Sequence, residues 1–248
     1  MNILITNDDG FDAEGILALT EALTGLGRLL IVAPTENKSG ASSSLSLHKD
    51  IVVYRRFADR YAVDGTPVDC VHLALTGDFL PVRPDLVVSG INSGANLGDD
   101  TIYSGTVAAA IEGFPFNIPS IAFSLTNNPV KHFSTAVATA RNLVEQWIKQ
   151  PPTTPCLLNV NIPDIPPESL CGFVCTRLGR RYPAQAAVNK GGNGDILRFA
   201  IGNVGDIADG GNQTDFHAVA ANKVSITPLT ADMTNQAQIT PLAQWLSA

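Results

Sequence analysis

The chain is poor in charge. Only 16% of its 248 residues are Asp, Glu, Lys or Arg, against about 25% in an ordinary soluble domain. So thinly charged a surface predicts that part of it is covered, and hence an oligomer. Basic clusters are missing too. The formal net charge is −7 and the isoelectric point about 5.0. That excludes a nucleic-acid polymer as the main partner, because a phosphate backbone needs clustered Lys and Arg. A small phosphorylated ligand is not excluded, since a metal ion can supply the local positive charge. No run of 18 apolar residues occurs, so no membrane span is expected. The N-terminal apolar run has no basic segment before it and meets two aspartates by position 8. It does not read as a signal peptide, and a cytoplasmic location is expected. Cysteine is scarce. Of Cys70, Cys156, Cys171 and Cys175 only the last two are close, and no histidine sits near enough to complete a zinc signature. They read as small reduced hydrophobes. What remains is a chain with 45% hydrophobic residues, long enough to bury its own core without disulfides or a structural metal.

The stretch around which the rest is organised is the first one. Ile3 to Ile5 reads as a buried strand, ends in Asn7-Asp8-Asp9-Gly10, and leads into a helical pattern. Strand, tight turn and helix place two carboxylates at the carboxyl end of a strand, where open α/β sheets bind ligands. Adjacent strand residues point to opposite faces. Asp8 and Asp9 can therefore share a site only if the backbone is already turning, which Gly10 permits. Two neighbouring carboxylates repel, and a divalent cation is the simplest thing that holds them together. The plainer alternative is a turn followed by a helix cap, for which Asp is equally suited.

Strands and helices then alternate. A helix is predicted over 13–26, with Ile16, Leu19, Ala22, Leu23 and Leu26 on its buried face. Arg28 to Ala33 is a second strand, which makes a βαβ unit with a right-handed crossover. The polar loop Pro34 to Ser44 follows. Residues 45–57 alternate loosely and suggest an extended arm, and 61–63 a short strand. Thr66 and Pro67 open a helix, whose residue His72 is expected to pack rather than ligate. Asp85 to Ser89 is a strand, and Ser89 to Thr106 a long functional loop of Gly, Asn, Ser and Asp. Ser104, Gly105 and Thr106 begin a helix and offer free N–H groups and hydroxyls at its positive end, an anion seat. Strands at 120–124 and 157–162 flank a helix at 133–148. After Pro163 the rhythm changes. Residues 172–178 and 197–201 read as strands of a hairpin or arm, with an exposed, mobile loop at Arg180, Arg181, Tyr182 and 189–195. A helix at 214–221, a strand at 223–228 and a helix at 241–246 complete the chain.

The fold class expected is therefore α/β: a Rossmann-like, three-layer core with a mostly parallel sheet over residues 1–162. Residues 163–248 form a β-hairpin arm and helix used in oligomerisation, with a strand and helix returning to the core. Three strand ends present Asp8 and Asp9, Ser39, and Asn92 with Asn96, all oxygen donors. Such a set suits a hard cation such as Mg²⁺, Mn²⁺ or Ca²⁺ rather than zinc. With the helix start at Ser104 it suggests metal-assisted hydrolysis of a phosphate monoester. A nucleotide-binding module without catalysis, or a metal-dependent glycosyltransferase, uses similar parts. Free phosphate released from a nucleoside monophosphate without an acceptor separates them.

Five separated motifs, in order, resemble the SurE family of survival-protein nucleotidases. They are Asn7 to Gly10; Asn37-Lys38-Ser39-Gly40; Ser89 through Asp100; Tyr103-Ser104-Gly105-Thr106-Val107; and Thr214-Asp215 with Val224 through Leu229. The resemblance covers nearly the whole chain. It implies a phosphatase of nucleoside 5′- and 3′-monophosphates, with activity on short polyphosphate. It implies one divalent cation per subunit, Mg²⁺ or Mn²⁺, on the residues matching Asp8, Asp9, Ser39 and Asn92. It places Asn96, Ser104, Gly105 and Thr106 around the phosphate, and it implies homodimers or homotetramers with exchanged C-terminal arms. Leu197-Arg198-Phe199 and Ala220 to Lys223 stand where the family tends to carry aromatic residues. Asp8 is the preferred group to orient or deprotonate the attacking water, with a phospho-aspartate intermediate as the rival chemistry.

Overall fold

The computed structural model describes residues 1–152, 154 and 156–247. The first strand, β1 (Asn2–Thr6), is buried from Ile3 onward. Ile3 and Ile5 face one apolar layer and Leu4 the other, as strand alternation requires. After it come α1 (Glu14–Leu23), β2 (Arg28–Pro34), and a short ribbon of β3 (Val53–Phe57) and β4 (Arg60–Val63). Next is α2 (Pro67–Thr76). Its start is a capping box: Thr66 accepts from the Asp69 N–H, while the Asp69 side chain accepts from the Thr66 N–H. The first half closes with β5 (Leu86–Ser93), a 3₁₀ turn over Gly98–Tyr103, α3 (Gly105–Gly113), β6 (Ser120–Leu125), α4 (Phe133–Lys149) and β7 (Leu157–Ile162).

The C-terminal part contains β8 (Phe173–Cys175), β9 (Arg180–Arg181), β10 (Val188–Asn193), β11 (Ile196–Ala200), β12 (Ile207–Asp209), α5 (Asp215–Ala220), β13 (Val224–Leu229) and α6 (Gln236–Leu246). Nine strands form one sheet in the order β3-β4-β2-β1-β5-β6-β7-β13-β8. Its pairs are parallel except β3 with β4 and β13 with β7. Helices α1 and α4 pack on one face, through Ile16, Leu19, Leu23, Ala136, Ala140 and Val144. Helices α2 and α3 cover the other, through Cys70, Val71, Ala74 and Ala109. This is the three-layer α/β architecture expected. Among the described residues, no helix is long and apolar enough to cross a membrane.

Five expectations are corrected. The stretch 89–106 is not one loop: β5 runs on to Ser93 and a 3₁₀ turn occupies Gly98–Tyr103, because residues 92 and 93 still pair with 124 and 125 on β6. Residues 172–178 and 197–201 do not pair with each other. β8 joins the edge of the main sheet beside β13, and β11 pairs with β10. The glycine-rich 189–195 is therefore mostly strand, turned at Gly194, whose φ is +57°, and Arg180–Arg181 pairs with β12. Of residues 45–57, only 53–57 form a strand. The last helix begins at Gln236, one turn before Pro241.

Candidate functional site

Asp8 and Asp9 follow directly on β1, where the chain turns at Gly10. Gly10 has φ +114°, and a Cβ there would stand 3.3 Å from the Glu36 carbonyl carbon; only glycine fits both demands. The turn is tied to the loop after β2 by Phe11 N–H to Pro34 O (2.7 Å) and Lys38 N–H to Asp8 O (2.7 Å). Asp8 is 3% exposed. Its Oδ1 accepts a short bond from the Thr106 hydroxyl at the start of α3. Helix α3 comes this close because residue 105 is glycine: a Cβ there would lie 2.8 Å from Asp8 Cβ and 3.0 Å from Asp8 Oδ2.

Asp9 points the other way, between two loops. Its Oδ1 accepts from Asn37 Nδ2 and its Oδ2 from the Ser93 N–H, each at 3.4 Å. Asn37 Oδ1 in turn accepts from the Ser39 N–H at 2.8 Å. The structure thus brings the Ser39 segment and the end of β5 to Asp9. Asn92, next to Ser93, turns its Nδ2 to Gly94 O (2.9 Å), which leaves its carbonyl oxygen free to ligate. Burial pushes the Asp8 carboxyl up from its ordinary range, against the bonds from Thr106. Burial and, next, the charge of Asp8 push Asp9 up to about 6. No Lys or Arg pairs with either aspartate among the described residues.

The phosphate-side residues divide. Ser104 caps α3, its Oγ accepting from the Val107 N–H at 3.1 Å. This is the ordinary capping role, and it leaves the hydroxyl proton for an anion. Thr106 is spent on Asp8. Asn96 is drawn inward. Its N–H donates to Asn161 Oδ1 (2.8 Å), its Nδ2 to Ser124 Oγ (2.7 Å), and its carbonyl accepts from Asn159 and Asn161 Nδ2 (2.8 and 3.0 Å). Among the described residues, the hydrogen bonds of Asn96 run to Asn159, Asn161 and Ser124 and not to either aspartate.

Sequence reasoning missed these supports. Asn159 and Asn161 are fully buried on β7. The signal was available, because Leu-Leu-Asn-Val-Asn-Ile puts polar residues at a two-residue period in a strand buried on both faces. Asp215 was missed as well. Buried completely, it accepts from the N–H groups of Gly98 (2.7 Å), Gly179 (2.8 Å) and Phe216 (2.9 Å). It fastens the loop after Asn96 to the root of the arm.

Do these residues suit a divalent cation? Two carboxylates lie together without a cationic partner. Asn7 Oδ1, completely buried beside them, has no hydrogen-bond partner among the described residues. Asn92 and Ser39 offer neutral oxygens. No group of three His, Cys, Asp or Glu exists among the described residues, so the donor set holds two charges and no nitrogen or sulfur. That fits a hard cation which keeps part of its charge for an anionic substrate.

The model of the survival protein SurE family matches residues 3–185. A curated protein named 5′-nucleotidase SurE, from Laribacter hongkongensis, is 48% identical over 248 residues, which cover 100% of both chains. The crystal structure of the Sure protein from Aquifex aeolicus matches with a TM-score of 0.85 and 36% identity over 100% of both chains.

Proposed function

The chain belongs to the SurE family, and from that premise we propose that a divalent cation on Asp8, Asp9, Ser39 and Asn92 serves the hydrolysis of nucleoside monophosphates. The enzyme is a 5′-nucleotidase, the activity that its full-length, 48% identical relative carries in its name. We extend the substrates to 3′-monophosphates and short polyphosphate, as the resemblance implies. The observation that carries the reading is the pair of aspartates without a cationic partner, lying against the positive end of α3, with glycine at 105 as the residue that permits it.

When bound, Mg²⁺ or Mn²⁺ supplies the positive charge that offsets both carboxylates and draws the phosphate in. The protein does the rest. Asp8 Oδ1 is committed to Thr106, which leaves Oδ2, on the side of Gly105, to orient the attacking water and receive its proton. The Ser104 hydroxyl and the Gly105 N–H stabilise charge on the equatorial oxygens. Asn159, Asn161 and Asp215 hold Asn96 and Gly98 so that this side of the site is set before substrate arrives. Exposed apolar residues on β11 and α6, among them Phe199 and Trp245, support a homodimer or homotetramer built through the arm.

The test is phosphate release from AMP, GMP and 3′-AMP with Mg²⁺, Mn²⁺ or EDTA. Release that needs metal and vanishes in Asp9→Asn supports the proposal. Nucleotide binding without release under any metal would replace it with a non-catalytic binding module.

A further inference from the structure

The loop after β2 carries Ser39 to the site without a core of its own. Residues 35–50 contain neither helix nor strand, and none of them is buried. Polar contacts hold the loop instead. At the aspartates they are Lys38 N–H to Asp8 O and Asn37 Nδ2 to Asp9 Oδ1. Further along, the Ser42 hydroxyl donates to Ile102 O on the 3₁₀ turn, and the Thr66 hydroxyl to Ser44 O, both at 2.7 Å. The last anchor is Asp69, in the first turn of α2 and 1% exposed. Its Oδ1 accepts from the Ser46 N–H (2.9 Å). Its Oδ2 accepts from the Ser46 hydroxyl (2.7 Å) and from the Thr66 N–H (2.8 Å). Glycine at 65 gives the carboxylate room, since a Cβ there would stand 2.9 Å from Asp69 Oδ2. Burial pushes the Asp69 carboxyl up, but the bonds from Ser46 and Thr66 together outweigh it and hold the group below its ordinary range.

We propose that Asp69 is a positioning residue of the hydrolytic site, a latch that holds the loop carrying Ser39 against Asp8 and Asp9 by way of Ser46 and Thr66. The proposal rests on the metal-dependent reading above and names a residue that sets cation affinity without touching the cation. Helix capping alone does not account for Asp69. A capping box needs its bond to the Thr66 N–H, whereas the two bonds to Ser46 reach 23 positions back along the chain. The start of α2 also abuts the phosphate seat: a Cβ at Gly105 would meet Pro67 Cγ at 3.2 Å. The helix end that grips the loop is therefore the one that packs against α3, and Asp69 fixes the two sides of the site relative to each other. With the loop fastened at Lys38, Ser42, Ser44 and Ser46, Ser39 is in place before a cation arrives. Binding then has less chain to order, which raises affinity. Freeing the Ser46 end returns that ordering to the binding step. The groups that do the chemistry are unchanged, so more cation makes good the loss.

The experiment follows Mn²⁺ binding by calorimetry. Ser46→Ala removes one bond to Asp69 and leaves the α2 cap whole, and it should weaken Mn²⁺ binding by about 3- to 10-fold. Ser46→Thr keeps the hydroxyl and should stay within about twofold of wild type. Asp69→Asn puts an amide where a carboxylate accepts three donors, and it should weaken binding by about 10- to 100-fold. Where that variant fails to fold, the Ser46 pair decides. On AMP, Ser46→Ala should recover the wild-type kcat to within about twofold once Mn²⁺ saturates. Three results would overturn the latch: unchanged Mn²⁺ affinity in the folded variants, a loss in Ser46→Thr equal to that in Ser46→Ala, or a kcat deficit that saturating Mn²⁺ does not repair. Wild type that binds no Mn²⁺ would sink the metal reading alone. Amide hydrogen exchange in the metal-free protein then decides the latch. Faster exchange across residues 37–46 in Ser46→Ala, with α2 unchanged, supports it, and exchange equal to wild type overturns it.

Discussion

The carboxyl edge of the sheet and the hairpin arm break the usual rule of burial in opposite senses. At the edge, Thr6, Asn7, Asp8, Ser89, Asn159 and Asn161 are polar and buried. Among the described residues, Thr6 Oγ1, Asn7 Oδ1, Ser89 Oγ and Asn159 Oδ1 have no hydrogen-bond partner. On the arm, Leu197, Phe199 and Ile201 are apolar and exposed, Ile201 by 90%. A buried polar atom without a partner costs about 1–3 kcal/mol. Such a cost persists where a ligand completes the set. An exposed apolar cluster persists where another surface covers it. Under the function proposed above, a small ion completes the edge and a second copy of the chain covers the arm. Each departure from the rule can be tested by substitution.

The largest effect belongs to the edge. Asp8→Asn and Asp9→Asn should each reduce phosphate release from AMP by about 10²–10⁴-fold at saturating Mn²⁺, with unchanged circular dichroism. Asp8→Asn at full activity would remove it from the chemistry. The same variants should lose Mn²⁺ affinity in calorimetry, whereas the arm substitutions below should not.

Next come the supports beneath the site. Asn161→Ala strips the Asn96 N–H of its acceptor and takes one donor from its carbonyl. Asp215→Ala leaves the Gly98 and Gly179 N–H groups unpaired. Each should cost about 1–3 kcal/mol in denaturant unfolding and raise KM for AMP, with Mn²⁺ affinity unchanged. Loss of stability at constant KM would make them ordinary core residues.

These supports also mark what the sequence could and could not reveal. Asp8, Asp9 and Ser39 were legible because each follows an apolar strand in a polar turn, a local pattern. The core strands and helices were legible for the same reason: their apolar period is local. Asp215 was not, because its role arises from contacts with Gly98, 117 positions away. The insertion of β13 between β7 and β8 was equally hidden, since no local period encodes which strands become neighbours. Arm pairing was misread for a related reason. Glycine-rich 189–195 has the composition of a loop, yet its backbone closes a hairpin with β11.

A smaller effect reads the electrostatics of the carboxyl edge. In the unfolded chain an Asp titrates near about 3.9; in the fold Asp9 is pushed up to about 6. Between those values the folded protein binds more protons than the unfolded one. The contribution of Asp9 to stability is therefore complete below about pH 4 and lost as pH rises through about 6. Asp8 is shifted in the same direction. Since Asp9 is partly open to solvent, screening reduces the effect to about 1 kcal/mol. In EDTA, wild type should lose about that much relative to Asp9→Asn between pH 4.5 and 7. Subtracting the variant removes other carboxylates, such as Asp59, held low by Arg28, which act with the opposite sign. Added Mg²⁺ should restore the difference at pH 7. A pH-independent gap between the two proteins would show that burial and the Asp8 charge do not raise the Asp9 carboxyl.

The arm should give the smallest effect on the protomer itself. Leu197 and Phe199 lie on β11, which among the described residues pairs only with β10, in a sheet separate from the nine-stranded one. Both side chains are mostly exposed, so Leu197→Ser and Phe199→Ser remove little burial within one chain. Protomer stability should change by no more than about 0.5 kcal/mol, and turnover by no more than about twofold. Association is where the loss should appear. A Leu or Phe covered by a second copy is worth about 1.5–3 kcal/mol of burial, so the double variant should dissociate at concentrations where wild type sediments as an oligomer. Wild-type Tm should rise with protein concentration while that of the variant stays flat. If the variant keeps both the oligomer and the concentration dependence, β11 is not the covered surface. The exposed face of α6, with Leu242 and Trp245, then takes its place.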